Sequence, residues 1–362
     1  MNTTALPAAT IEDGSAYFNT ALWTGDGGSS VSVTTGTFEP DLIWIKQRNK
    51  TYYHQLYDAV RGYGVGKALA SNENTIEGYG GSNQYGYVSS TNSTGFTGTA
   101  GSGTPLYVNE NNTTYVAWAW DGGSSTVSNT DGSITSSVRA NPSAGFSIVT
   151  YTGVAPTVAT VGHGLNAAPD LIIIKVRDRT GEWPVYHSAL GNTKTLYLEQ
   201  TSAQSGGHWN STAPTSSVFT VGDSNYVNGS GDPYVAYCFT AVEGFSAFGS
   251  YEGNGSADGP FVYCGFKPRW IMLKNADTGG AYYDWRIIDT ARHTYNYGGN
   301  EDAPPTLFAN KADAEVDWDN VDILSNGFKI KDSSVSLNES GATQIFIAFA
   351  ENPFQANGGL AR

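Results

Sequence analysis

The chain has 362 residues, of which 14% are charged, and it is rich in glycine (44), tyrosine (22) and tryptophan (9). Its net charge of -14 argues against a nucleic-acid-binding protein, because phosphate contacts need clustered lysine and arginine. Two cysteines are too few for a disulfide framework, no apolar run approaches the roughly 20 residues of a membrane span, and the first residues lack a signal-peptide pattern.

Residues 1–15 are polar and without periodicity, which predicts an N-terminal arm that is disordered or lies on a partner. The first strand follows at Phe18–Trp23 and ends in a glycine-rich turn that begins at Gly25. The next element is the apolar run Leu42–Lys46, which follows a Pro-Asp pair and ends in a charge. Such a run predicts a strand that is buried on both faces.

The same phrases recur twice more in the same order. The buried strand returns at Leu171–Lys175 and Trp270–Lys274. Around it lie an opening aromatic strand, a second short strand, a leucine phrase, a phenylalanine strand and a closing strand. The closing strand alternates large and small residues in each case, at Tyr115–Ala119, Tyr234–Cys238 and Phe346–Ala350. One order of landmarks kept three times predicts three copies of one unit.

We place the copies at residues 16–121, 145–243 and 244–354. Residues 122–144 are rich in glycine, serine, threonine and asparagine, which predicts a linker, and residues 355–362 form a C-terminal tail. The second and third copies follow each other without a spacer. The predicted fold class is all-β, with three tandem antiparallel β-sandwich (jelly-roll-like) repeats of about 100 residues each.

These phrases resemble a domain of unknown function that is widespread in tailed bacteriophages, especially marine and cyanobacterial ones. The resemblance rests on an aromatic-x-Gly opening, Pro-Asp-Leu-Ile-x-Ile-Lys, Tyr-Asp-x-x-Arg-Gly and Tyr-Val-Ala-Trp-Ala, and it runs from about Tyr17 to Phe354. In the third copy Arg269 replaces the aspartate of the Pro-Asp pair. The resemblance implies a component of the virion, either a tail fibre protein or a protein that decorates the particle. A trimer is the form that the resemblance leads us to expect. It carries over no catalytic residues.

An aspartate and an arginine three residues apart follow the second strand in the first and third copies, as Asp58–Arg61 and Asp289–Arg292. They can be interpreted as an acid and base in a cleft or as an ion pair that pins a turn. The second copy has His187 and Leu190 instead, which favours the structural interpretation. The histidines show no metal-ligand spacing, so we predict no metal site. We also predict no catalytic residue and no cofactor.

Aromatic residues in the stretches that differ between copies are the candidate binding residues. Flat rings on variable loops can stack on sugars, contact another subunit or pack within the loop. The candidates are Tyr79, Tyr85, Tyr87, Trp183, Trp209, Trp285, Tyr295 and Tyr297.

These observations predict a non-enzymatic bacteriophage virion protein, a tail-associated fibre or receptor-binding protein whose loops recognise a host-surface glycan. Two alternatives stay open: a capsid decoration or head fibre protein, and a virion-associated glycan depolymerase, which would need two carboxylates about 5 to 9 Å apart. The expected partners are other virion proteins, further copies of the chain in a homo-oligomer (a trimer is favoured), and a host glycan. Binding of nucleic acid and insertion into a membrane are not expected. Assembly in the host cytoplasm and release by lysis would need no export signal.

Overall fold

The computed structural model describes residues 11–79, 82–104, 106–296, 305–318 and 320–352. Across these residues the chain is all-β, because its strands lie in several antiparallel sheets and its helices are single turns. The predicted all-β class is confirmed. No helix in this part of the chain is long and apolar enough to cross a membrane.

The strands of the first copy form two sheets. They are β1 (Phe18–Thr24), β2 (Ser30–Thr34), β3 (Leu42–Gln47), β4 (Gln55–Asp58), β5 (Tyr87–Asn92), β6 (Gly95–Thr99) and β7 (Thr114–Trp120), with the helical turn α1 (Ser82–Tyr85) before β5. The larger sheet has the order β1-β7-β3-β4 and the smaller β2-β6-β5. The sheets face each other, since Ile43 and Ile45 of β3 share an apolar cluster with Val33 of β2 and Phe96 of β6.

The second copy also has a large and a small sheet. Its strands, with two that precede the copy, are β8 (Thr126–Asn129), β9 (Ser136–Asn141), β10 (Phe146–Thr152), β11 (Ala159–Gly162), β12 (Leu171–Val176), β13 (Pro184–His187), β14 (Lys194–Tyr197), β15 (Ser205–Gly206), β16 (Val218–Val221) and β17 (Pro233–Phe239), with α2 (Asn225–Asn228) before β17. The order is β15-β14-β13-β12-β17-β10-β9-β8 in the large sheet, and β11 pairs with β16 in the small one.

The third copy follows the same plan. Its strands are β18 (Ser246–Glu252), β19 (Phe261–Tyr263), β20 (Lys267–Asn275), β21 (Arg286–Asp289), β22 (Pro305–Phe308), β23 (Val316–Asp317), β24 (Val321–Leu324), β25 (Gly327–Ile330) and β26 (Thr343–Asn352), with α3 (Val335–Asn338) before β26. The large sheet has the order β18-β26-β20-β21-β22-β23 and the small one β19-β25-β24. In all three large sheets the closing strand therefore lies between the opening strand and the buried strand.

The segment predicted as a linker, residues 122–144, contains strands instead. Strand β9 pairs with β10 from Ser137 to Asn141, and β8 pairs with β9. Composition misled the prediction because the outer edge of β10 offers unpaired backbone N–H and C=O groups, which any extended segment can satisfy. Val138 anchors the added strand, since it is buried in the apolar cluster of the second copy.

The apolar runs singled out in the sequence are buried on both faces, as predicted. Every residue of β3 and of β12 is buried. In β12, Ile172 and Ile174 point into the cluster between the two sheets of the second copy, whereas Leu171 and Ile173 point away from it. Alternate residues of a strand lie on opposite faces, so a run with no polar position requires apolar neighbours on both sides.

The outer faces of the three large sheets meet in one shared core. Trp120 contacts rings of every copy: its ring centroid lies 4.9 Å from that of Phe18, 6.2 Å from Phe239, 6.0 Å from Trp270 and 5.7 Å from Phe349. The rings leave an apolar void of about 20 Å³ between them. The copies are therefore packed around a common centre and do not follow one another as separate beads.

The described part of the N-terminal arm packs on the same chain. Ile11 is buried in the shared core, and residues Gly14–Ala16 form a short 3-10 helix that Asp13 caps through the backbone N–H of Ser15. The prediction of a disordered or partner-bound arm is thus wrong for residues 11–15, because one buried apolar side chain is enough to fix a short segment. Residues 1–10 lie outside the described part of the chain.

Candidate functional site

The three copies are joined by matching backbone hydrogen bonds. Each donor is the residue eight positions after the leucine of the leucine phrase, and each acceptor lies two positions after the lysine that ends the buried apolar run. The bonds are Glu77 N–H to Arg177 C=O (2.8 Å), Gln204 N–H to Ala276 C=O (2.7 Å) and Glu315 N–H to Arg48 C=O (2.7 Å). The first copy thus binds the second, the second binds the third, and the third binds the first, so the arrangement closes on itself.

Trp183 and Trp285, predicted as surface residues, are buried at these junctions. Each precedes the second strand of its copy and donates its indole N–H to a backbone carbonyl of the preceding copy, Trp183 to Glu73 and Trp285 to Tyr197, both at 2.9 Å. In the first copy His54 takes this position and bonds through Nε2 to a carbonyl of the third copy. The prediction of exposed binding rings is wrong here, because a single sequence does not reveal which loop a neighbouring copy covers.

Trp209 is buried as well, although its loop differs between the copies. Its indole N–H donates to the carbonyl of Lys194 at 3.0 Å, and its ring packs edge-on against Tyr186 at 5.6 Å. Because the single polar group of this ring is already hydrogen-bonded inside the protein, exposure to water would not stabilise it further. Trp209 is therefore a core residue of the second copy, and the prediction of a binding role is wrong for it.

The Asp58–Arg61 pair belongs to a buried network between the first and second copies. Both side chains are 0% exposed, with 2.5 Å between Arg61 Nε and Asp58 Oδ2. The hydroxyl of Tyr237, on the closing strand of the second copy, donates to the same carboxylate oxygen at 2.9 Å. Arg61 also contacts Glu77, which binds Arg177 of the second copy at 2.6 Å. These contacts support the structural interpretation of the pair.

The other two junctions use the same position with different chemistry. Asp289 receives bonds from Arg292 at 2.6 Å and from the indole of Trp118 on the closing strand of the first copy at 3.0 Å. The second copy has His187 there, and its Nε2 lies 3.2 Å from the backbone carbonyl of Phe346 on the closing strand of the third copy. Burial lowers the pKa of His187 to about 4, so its ring is neutral at neutral pH.

Three lysines end the buried apolar runs and are themselves buried, each at most 1% exposed. The ammonium of each donates to the carbonyl of the next residue: Lys46 to Gln47 at 2.7 Å, Lys175 to Val176 at 2.7 Å and Lys274 to Asn275 at 2.5 Å. Desolvation lowers the pKa of Lys46 to about 7 and those of the other two to about 8. The three ammonium groups hydrogen-bond the backbone at the ends of these strands, and their burial makes them inaccessible to a ligand.

A carboxylate pair replaces an amide at one junction. The residue before the second strand donates its backbone N–H to a side-chain oxygen in each copy. The acceptor is the amide of Asn72 in the first copy (2.9 Å) and of Asn310 in the third (2.9 Å), but the carboxyl group of Glu199 in the second (3.0 Å). Burial, followed by a hydrogen bond with Glu182, raises the pKa of Glu199 well above the ordinary 4.5. Glu199 is therefore protonated over part of the neutral range.

We expect the Glu199→Gln variant to be more stable than the unchanged protein at pH 9 and nearly equal to it at pH 5. A folded-state pKa raised above the unfolded value makes the folded form bind the extra proton, so its stability is lost as pH rises through that window. The gain at pH 9 should be about 2 to 5 kcal/mol, since the pKa rises from 4.5 to about 8 and one pKa unit corresponds to roughly 1.4 kcal/mol. Urea unfolding at both pH values measures it.

The matched control for this variant is Glu243→Gln, because Glu243 is exposed. It should change the free energy of unfolding by less than about 0.5 kcal/mol at either pH. If the Glu199→Gln variant were no more stable than the unchanged protein at pH 9, ionisation of Glu199 would not lower the free energy of unfolding.

An open depression lined by tyrosines lies on the outside of the first copy. Its volume is about 520 Å³. Its lining is Tyr53, Ile76, Glu77, Gly78, Tyr79, Gln84, Tyr85 and Tyr107. Tyr79 is 51% exposed, and Tyr85 stands edge-on to Tyr107 with 5.8 Å between ring centroids. The structure therefore brings together two of the predicted binding residues, Tyr79 and Tyr85.

Two further tyrosines of this depression, Tyr53 and Tyr107, were missed from the sequence because they lie next to repeat landmarks. Tyr107 is held from the other side by Tyr52, whose ring stands at 90° to it. Burial raises the pKa of Tyr107 to about 12, and the nearby Glu73 raises the pKa of Tyr53, so both hydroxyls stay protonated at neutral pH. The two adjacent tyrosines Tyr52 and Tyr53 could have indicated this site in the sequence, since both border the same loop.

The remaining predicted residues lie elsewhere. Tyr87 begins β5 and is half-buried against the cluster between the sheets of the first copy. Tyr295 is 55% exposed, and its ring centroid lies 5.4 Å from that of His293. Tyr297 lies outside the described residues. Within the described ranges no group of three or more His, Cys, Asp or Glu side chains could hold a metal ion.

The comparison with protein families places the chain in one of them. A family model described as "Domain of unknown function (DUF7483)" matches residues 13–353. Because the match covers most of the chain, the chain belongs to this family. No curated protein matches the chain.

Proposed function

We propose that this chain is a non-enzymatic binding protein, made of three copies of one β-sandwich unit, that recognises a carbohydrate at the tyrosine-lined depression of the first copy. The observation that carries the proposal is the convergence of Tyr53, Tyr79, Tyr85 and Tyr107 on one open depression.

The three-copy plan is supported by agreement at several levels. The phrases of the sequence, the order of strands in the large sheets and the hydrogen bonds at the junctions all repeat with the same spacing. A closed cycle of three junctions around one core is the arrangement of a cyclic trimer, here within one polypeptide. The jelly-roll-like form of each unit is part of this proposal.

The ring chemistry of the depression suits a sugar. The face of an aromatic ring carries partial negative charge, and the C–H groups of a pyranose carry partial positive charge, so the two stack favourably. Gln84 is exposed at the edge and offers an amide to sugar hydroxyls. The net charge of -14 disfavours acidic glycans, so a neutral hexopyranose is the class proposed.

The same lining favours binding over cleavage. Hydrolysis of a glycosidic bond by the usual mechanism needs two carboxyl groups across the bond. The lining has one carboxylate, Glu77, and it is bound by Arg177 at 2.6 Å and by Arg61 at 3.2 Å. Both oxygens of this carboxylate are therefore occupied, Oε1 by Arg61 and Oε2 by Arg177. The depolymerase alternative therefore receives no support from this depression.

The location on a bacteriophage particle rests on the resemblance of the repeat phrases. A tail-associated receptor-binding protein is our first proposal, because glycan recognition is a host-attachment task. A capsid decoration protein is the second, and the closed packing of the copies around Trp120 favours it over an elongated fibre. The homotrimer implied by the resemblance also stays a proposal.

We expect Tyr79→Ala to weaken glycan binding about two- to tenfold, because the variant loses an exposed stacking ring worth roughly 0.5 to 1.5 kcal/mol. The purified chain is first screened on an array of neutral glycans, and the strongest binder is then titrated by calorimetry. The control is Tyr282→Ala, a loop tyrosine that is 69% exposed and lies outside the depression.

Each result of this experiment decides something. Loss of binding in the Tyr79 variant alone supports the proposal, whereas equal binding by both variants removes the depression as the site. No retention on any neutral glycan would overturn carbohydrate recognition. Release of reducing sugar from a bound polysaccharide would favour the depolymerase instead.

A further inference from the structure

The segment that leads into the closing strand can be aligned between the three copies, because one of its backbone carbonyls accepts the same kind of hydrogen bond in each copy. An aromatic donor on the opening strand bonds to a backbone carbonyl in each case: Trp23 to Val108 (2.8 Å), Tyr151 to Val227 (2.6 Å) and Tyr251 to Leu337 (2.9 Å). A buried asparagine follows each carbonyl, at positions 109, 228 and 338. The residues just before, Tyr107, Tyr226 and Ser336, therefore occupy equivalent places.

The second copy has an aromatic cluster at this place. Tyr226 is 37% exposed, and its ring centroid lies 5.6 Å from that of His208 and 6.3 Å from that of Tyr197. The hydroxyl of Tyr197 lies 2.9 Å from His208 Nε2, so these two side chains form a fixed polar pair beside the exposed ring. The cluster thus combines a ring face with hydrogen-bonding groups at its edge.

We propose that Tyr226, His208 and Tyr197 form a second carbohydrate-binding site, which takes a neutral hexopyranose as the depression of the first copy does. The proposal rests on the proposed function. Tyr226 stacks on the C–H face of the sugar. The hydroxyl of Tyr197 bonds to His208 and also to the side chain of Ser205, so it holds the imidazole in place. The ring nitrogen of His208 that does not face Tyr197 is offered to a sugar hydroxyl.

The structure also explains why the third copy has no such site. Ser336 replaces the tyrosine, and its hydroxyl accepts a hydrogen bond from Arg286 at 2.8 Å. The guanidinium of Arg286 lies 3.7 Å from the ring centroid of Trp318 and covers its face. The face of Trp318 that holds the guanidinium is closed to a sugar. Of the three equivalent places, the second presents an exposed tyrosine, the first holds Tyr107, which lines the depression but is only 6% exposed, and the third is filled by the chain itself.

Two sites on one rigid chain have a measurable consequence. A polysaccharide that reaches both binds the second site at a high effective concentration, so it binds more tightly than a short oligosaccharide of the same sugar. The number of short ligands bound per chain reports the two sites directly.

The experiment uses maltohexaose, cellohexaose and laminarihexaose as probes against the full chain with isotope-labelled tyrosine rings. The Tyr79→Ala and Tyr226→Ala variants assign the two ring signals, and Tyr282→Ala is the control. We expect one of the probes to shift the signals of both Tyr79 and Tyr226. In calorimetry, Tyr226→Ala should reduce the number of hexasaccharides bound from two to one, and His208→Gln should weaken the second site severalfold without moving the first.

The possible results separate the two proposals. A shift at Tyr79 without one at Tyr226 overturns the second site and leaves the proposed function intact. A shift at neither ring with any of the three probes overturns both. An unchanged number of bound ligands in a Tyr226→Ala chain that retains its circular dichroism spectrum also overturns the second site.

Discussion

Replacement of Asp58 by alanine is expected to lower the free energy of unfolding by about 3 to 5 kcal/mol, because it breaks a buried ion pair and leaves Arg61 only its longer contact with Glu77. Arg61 is 0% exposed at its side chain and would lose the carboxylate 2.5 Å away. The hydroxyl of Tyr237, 2.9 Å from that carboxylate, would lose its acceptor at the same time. Guanidinium unfolding at pH 7 measures the effect.

The control for this variant is Asp258→Ala, which removes an aspartate bound to Lys329 at 2.6 Å but 87% exposed. An exposed ion pair contributes little to stability, so the control should unfold close to the unchanged protein. If both variants lost the same small amount, Asp58 would be solvated in solution and the network would not join the copies.

Replacement of Trp120 by alanine is expected to cost about 3 to 5 kcal/mol, the usual loss when a large buried ring leaves a cavity. The ring is 3% exposed and contacts aromatic rings from all three copies. Because the core is shared, the whole chain should still unfold in one transition at a lower temperature. Differential scanning calorimetry, with the melting followed in parallel by near-ultraviolet circular dichroism, tests both points.

The matched control is Leu22→Ala on strand β1 of the same copy, where the side chain is 41% exposed. It should cost less than about 1 kcal/mol, since little apolar area is removed from the interior. A Trp120→Ala chain that melts in two steps, with one copy unfolding before the others, would contradict a common core.

Periodicity was sufficient for the elements whose surroundings the sequence itself specifies. A run such as Leu171–Lys175 has no polar face, so it had to be a strand covered on both sides, and it is. The match between copies also located the closing strands, because alternation of large and small residues reports packing within one unit. The exposure of an aromatic residue was predicted correctly where it follows from a local loop, as for Tyr79.

Relations between copies could not be predicted in the same way. Trp183 and Trp285 lie in stretches that differ between copies, and such stretches are normally exposed loops. They are buried because another copy covers them, and nothing in their own segment records that neighbour. Likewise the polar segment before Phe146 becomes a strand because the edge of β10 is free to receive it. In both cases the deciding partner is distant in sequence.

The closed cycle of junctions has a consequence for how the chain can change. In a trimer of identical subunits a single substitution appears at all three interfaces and must suit each of them. Within one polypeptide, each junction can be altered alone, and the replacement of an Asp–Arg pair by His187 and Leu190 is an instance. The outward faces are equally independent, so one molecule can present tyrosines on one side and an arginine stacked on Trp318 on another. Each side of such a molecule can therefore change its surface chemistry while the arrangement of the three units stays the same.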